Sequence, residues 1–226
     1  MPDTPTAPTL APVATKYKKY ALPLAMAILF IFHAVGFWGL MFSGRPAYFQ
    51  ELTPMNLLLT NTLLFAFLRR WDAAFILFAA VVFAVGFFSE VVGVHTGLLF
   101  GNYTYGAALG TKLWDVPLLI GLNWLMLVYT TGQISNYTRL PWWGKAILGT
   151  MLMLVLDYFI EPVAMAFDFW DWQGGHVPLS NYIGWFVVAL ALQAYYQWAP
   201  IYKTNRLAPY VYLVQLLFFL SIFILL

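Results

Sequence analysis

The sequence is built on long apolar runs, the first of which is ALPLAMAILFIFHAVGFWGLMF at residues 21–42. A run of about 20 such residues crosses the hydrocarbon core of a bilayer as a helix, because no water is present there to satisfy a loose backbone. Runs of this kind predict seven spans at approximately 20–42, 54–69, 72–91, 116–134, 144–163, 181–199 and 208–226. The second is the weakest, being short and interrupted by Thr60, Asn61 and Thr62, although Thr53 and Pro54 make a sound helix start. Composition agrees: 62% of the residues are hydrophobic and 9% charged, against about a quarter charged in soluble domains. The expectation is an all-α polytopic membrane protein with about seven transmembrane helices.

Lys and Arg set the orientation. With the N-terminus cytoplasmic, Lys16, Lys18, Lys19, Arg69, Arg70, Arg139, Lys145, Lys203 and Arg206 lie inside, and only Arg45 and Lys112 outside, which leaves the C-terminus outside. Residues 1–15, MPDTPTAPTLAPVAT, are rich in Pro and Thr and read as a disordered tail before a single transmembrane domain at 16–226. They do not read as a signal peptide, since the lysines precede a full-length span rather than a short apolar core.

Several function classes drop out. There is no cysteine, so neither disulfides nor thiolate metal sites are available. His33, His95 and His176 lack the spacings of the histidine clusters in membrane oxygenases and desaturases, so no metal site is expected, and His33 reads as a hydrogen-bonded core residue. The last helix, PYVYLVQLLFFLSIFILL, has no lysine for a retinal Schiff base, and GNYTYGAALGTK lacks phosphate-loop spacing. Nothing points to nucleic acid.

The carboxylates are distributed unevenly. Asp3 and Asp72 fall inside, whereas Glu51, Glu90, Asp115, Asp157, Glu161, Asp168 and Asp171 fall at the outer face. At 1.5 Å of rise per residue, Glu90 lies about 27 Å along the third span, and Asp157 and Glu161 about 20 and 26 Å along the fifth. Asn123 and Trp124 sit about 10 to 12 Å below the outer end of the fourth, and Asn181 opens the sixth. These side chains share one depth.

Asp157 and Glu161, spaced i, i+4, project from one helix face. Two carboxyl groups so close in a partly dehydrated place share their protons and supply an acid and a base; alternatively, both are solvated where the Glu-Pro step ends the helix. Glu90 carries the same cost of an ionisable group within a span, unless it sits at the interface and pairs with Lys112. The connection to Asp115, about 20 residues rich in Gly and Tyr, is long for structureless chain. Its glycines allow a re-entrant segment, a cover over a cavity between the third and fourth helices. Tyr103, Tyr105, Trp124, Trp170, Trp172 and Trp185 gather at the same face, where aromatic rings pack apolar chains and stabilise cations. Trp114 and the Trp142–Trp143 pair read instead as interfacial belt residues.

Together, EVVGVHTGLLFGNYTYGAALG, VPLLIGLNW, DYFIEPVA, WDWQ and VPLSNYIGWF resemble the membrane carotenoid hydratase family, the carotenoid biosynthesis proteins of bacteria and archaea. The resemblance runs from about residue 86 to 200, with Leu99 and Asp115 standing where a proline or glycine would be expected. It implies cofactor-independent addition of water to the terminal isopropylidene double bond of an acyclic carotenoid, giving a tertiary alcohol. Glu90, Asp157 and Glu161 would be its catalytic carboxylates; Tyr103, Tyr105, Asn123, Trp124, Trp170, Trp172, Asn181 and Trp185 would bind substrate. The implied partners are the carotenoid from the bilayer, water and other enzymes of the pathway, and the implied location is a prokaryotic cytoplasmic membrane. A lycopene-type cyclase, which begins with the same protonation, and a non-enzymatic carotenoid-binding or transport protein are the alternatives.

Overall fold

The computed structural model describes residues 13–226, with side chains from Tyr20 onward. Residues 1–12 of the expected tail lie outside the described residues. The elements are α1 (Val13–Phe42), α2 (Pro46–Glu51), α3 (Thr53–Ala66), α4 (Ala73–Thr96), β1 (Tyr103–Tyr105), β2 (Lys112–Leu113), β3 (Val116–Pro117), α5 (Leu118–Ser135), α6 (Trp142–Ala166), β4 (Trp170–Trp172), α7 (Leu179–Trp198) and α8 (Ala208–Leu225). The protein is an all-α polytopic membrane protein, and its four strands are short pieces of the connections.

Among the described residues five helices are long and apolar enough to cross a membrane: α1 from Tyr20, α4, α5, α6 and α8. The expected seven spans are therefore only partly seen. α3 has 14 residues, fewer than a span ordinarily needs. α7 is long enough at 20 residues, but Ser180, Asn181, Gln193 and Gln197 dilute its apolar character. Two helices also outrun their expected ends. α4 continues to Thr96, where Gly97 stops it at φ 65 with its N–H on the Gly93 carbonyl. α6 passes through Pro162 to Ala166, so the Glu-Pro step does not end the helix.

α5 lies at the centre, packed by α4, α6, α7 and α8. Gly121 admits the Phe83 ring and Gly132 the Tyr196 ring, the close approach that small residues allow between helices. Gln193 ties α7 to α5, donating to the Val128 carbonyl at 3.1 Å and Thr131 Oγ1 at 2.7 Å. His33 is the core histidine expected: its Nδ1 pairs with the Leu29 carbonyl at 2.8 Å. Trp114, Trp142 and Trp143 are exposed, as belt residues are.

Candidate active site

The connections that follow α4 and α6 meet over the helix ends. β1 and β4 run antiparallel, setting Tyr103 opposite Trp172, Thr104 opposite Asp171 and Tyr105 opposite Trp170. Strand side chains alternate between faces, so Tyr-Thr-Tyr and Trp-Asp-Trp turn four aromatic rings inward and expose Thr104 and Asp171. The rings pack on one another, with Tyr103 and Trp172 centroids 4.9 Å apart and Tyr105 and Trp170 5.9 Å. Further backbone bonds extend the ladder: Gly106 N–H to Phe169 O at 3.0 Å and Gln173 N–H to Asn102 O at 2.9 Å. The expected glycine- and tyrosine-rich cover is thus a two-stranded clasp, half of it from the chain after α6.

Gly106 has to be glycine, because a Cβ there would stand 2.0 Å from the main-chain oxygen of Asp168. Gly106→Ala is expected to destabilise the protein by about 1–3 kcal/mol and to speed hydrogen exchange in residues 101–106. Thr104→Ala, on the outer face of the same strand, is expected to leave exchange unchanged; equal exchange in both variants would mean that the clasp is not held at Gly106.

Beneath the clasp the three carboxyl groups are almost wholly buried, Glu90 at 4% exposure and Asp157 and Glu161 at 1% each. Glu90 Oε2 accepts from the Tyr103 and Tyr105 hydroxyls, the latter at 2.8 Å, and Oε1 accepts from Trp124 Nε1 at 3.0 Å. Glu161 Oε2 accepts from Trp170 Nε1 at 2.9 Å and Trp172 Nε1 at 2.6 Å, and Oε1 from Asn181 Nδ2 at 3.0 Å. The same Asn181 nitrogen lies 3.2 Å from Asp157 Oδ2. Asp157 Oδ1 is buried with no hydrogen-bond partner.

Neither bland reading of these acids describes the geometry. The Asp157–Glu161 pair is enclosed rather than solvated, and Lys112 donates to the Tyr105 carbonyl instead of meeting Glu90. Burial, and next to it the Glu90 carboxyl, pushes both tyrosine hydroxyls well above the usual phenol range, so they remain donors. Trp124 reaches Glu90 because Gly86, one turn earlier on α4, leaves room for its side chain; a Cβ would lie 2.5 Å from it. Trp185 stacks on Trp124 at 4.3 Å between centroids and 20° between planes.

Glu90, Asp157 and Glu161 line one cavity with Tyr103, Tyr105, Asn123, Trp124, Trp170, Trp172, Asn181 and Trp185, so the fold brings together every residue the sequence put forward. Phe100, Ile120 and Ile160 complete the lining. Ile160 falls on the Asp157–Glu161 face and Ile120 lies one turn before Asn123, but an apolar residue among many gives no separate signal. The cavity is about 30 Å³, room for about one or two waters. Among the described residues no three His, Asp or Glu side chains are grouped as a metal would need. Asp115, where the resemblance leads to a proline or glycine, adopts φ 63 and Trp114 φ 50, the left-handed region glycine favours.

Fold and site together define an integral membrane protein that gathers three carboxyl groups under an aromatic clasp. The chain belongs to the carotenoid biosynthesis protein family, which it matches over residues 52–226. It is 34% identical over 104 residues to the bisanhydrobacterioruberin hydratase of Haloarcula japonica, a match covering 42% of this chain and 36% of that protein. The chain thus matches about a third of that relative's length. No solved structure matches it.

Proposed function

We propose that the protein is a carotenoid hydratase that adds water to the terminal isopropylidene double bond of an acyclic carotenoid without a cofactor. The observation that carries this reading is the unequal hydrogen bonding of the three acids. Glu90 and Glu161 each accept from three donors, hydrogen bonding that favours the carboxylate form of each against the cost of burial. Asp157 has one donor and a bare buried oxygen, the place for a proton not yet given away.

Asp157 protonates the less substituted alkene carbon, leaving a tertiary cation. The cavity lining contains no Lys, Arg or His, so the cation supplies the positive charge that two buried carboxylates lack. Charges fixed before the reaction stabilise such a species most effectively, and the faces of Tyr103, Tyr105, Trp170 and Trp172 add to this. Water bonds to the cationic carbon and gives a proton to Glu90. Transfer of that proton back to Asp157 through cavity water restores the site, so the net reaction is alkene plus water to tertiary alcohol. The same reading takes α3 and α7 as the remaining two of seven spans, with the N-terminus inside a prokaryotic cytoplasmic membrane and the clasp outside.

Expression in a host that accumulates an acyclic carotenoid tests the proposal. A product heavier by one water per reacted end is expected. A product of unchanged mass with a ring would identify a cyclase, in which a neighbouring double bond captures the cation, and unchanged pigment bound to purified protein would identify a carrier.

A further inference from the structure

A second cavity, of about 510 Å³, lies between α1, α3 and α8, within the range of small-molecule sites. Its lining is mostly apolar, and Phe32, Val35 and Met55 at its rim are more than half exposed, so it opens on the lipid-facing surface. Its inner wall is Phe169, whose chain neighbour Trp170 lines the carboxylate cavity and donates to Glu161. Consecutive residues of the chain therefore line the two spaces.

The lining is not uniformly apolar. Gln215, 5% exposed, has no side-chain hydrogen bond among the described residues. His33 uses Nδ1 on the Leu29 carbonyl and has no further partner there for Nε2, and Asn56 Oδ1 is buried without one. Buried polar groups are normally paired; Asn56 Oδ1 is not, and with the Gln215 amide and the His33 ring in the same greasy lining it suits an apolar ligand carrying a hydrogen-bonding group.

We infer that this cavity holds the polyene chain of the substrate next to its reacting end, and that Gln215, His33 and Asn56 recognise an oxygen function on that chain. The inference rests on the hydratase reading for the identity of the ligand. The substrate enters laterally between α1 and α3, and its end passes Phe169 to reach the acids when the clasp parts. An acyclic carotenoid already bearing a hydroxyl binds more tightly here than the hydrocarbon.

Gly36 provides the probe: it lines the cavity, and a Cβ there would stand 3.6 Å from Phe218, an ordinary contact. Purified protein is loaded with an acyclic hydrocarbon carotenoid or its tertiary alcohol; retained pigment is measured by absorbance and turnover by product analysis. Gly36→Leu is expected to raise KM and lower retained pigment by about tenfold with kcat unchanged, and Phe218→Trp, filling the space from α8, to do the same. Gln215→Leu is expected to weaken retention of the alcohol and not of the hydrocarbon. Parent-like retention and KM in both filled variants, or phospholipid in the cavity in place of pigment, would overturn the inference. Pigment that is bound, and displaced by Gly36→Leu, yet never hydrated would leave the cavity assignment standing and remove the hydratase reading.

Discussion

Replacing Asp157 with Asn is expected to lower carotenoid hydration by about 10²–10⁴-fold, the usual worth of a positioned acid, while pigment binding and the melting temperature stay near those of the parent. Asn keeps the shape, and its carbonyl still accepts from Asn181, which now meets Asp157 Oδ2 at 3.2 Å. Only the transferable proton is lost. Turnover by single-time-point pigment analysis, with binding measured in parallel, separates the chemical step from access. Parent-like turnover would remove Asp157 from the role of acid.

Glu90→Gln is expected to cost at least about a hundredfold in turnover in a protein that still folds. The Gln carbonyl can accept from Trp124 Nε1, and its NH₂ can donate to the tyrosine hydroxyls, which accept as well as donate. Glu90→Leu is different. It would leave the Tyr105 hydroxyl and the Trp124 indole N–H buried without partners, at about 1–3 kcal/mol each, and the Tyr103 hydroxyl with only a long contact to the main-chain carbonyl of residue 90 at 3.5 Å, and is expected to unfold in detergent at a markedly lower temperature. Undiminished hydration by the Gln variant would make Glu90 a structural pin for the clasp and nothing more.

How much of this was legible in the sequence depended on the physical signal each part leaves. Apolar runs mark the helices well, because the bilayer demands length and composition together. α3 and α7 blur the count because a helix packed among others can be short or partly polar, and span arithmetic cannot see its neighbours. Depth arithmetic grouped Glu90, Asp157, Glu161, Asn123 and Asn181 since rise per residue is fixed. It could not show that Trp170 and Trp172 turn their indole N–H groups on Glu161, because that follows from the pairing of two three-residue strands far apart in sequence. Tyr-Thr-Tyr and Trp-Asp-Trp carry the alternation, but runs that short do not announce a partner. The apolar cavity beside the clasp left no mark at all, since its walls read as ordinary membrane helix.

The clasp also ties admission to reactivity. Each of its strands follows the helix whose acid it serves: β1 follows α4 and binds Glu90, and β4 follows α6 and binds Glu161. Parting the strands far enough to let a carotenoid end pass would strip four of the six donors from those two carboxylates in one movement. On the hydratase reading an open clasp would not hold the paired negative charge that a cation needs, and the site would work as an interlock, armed only once it had shut on its guest.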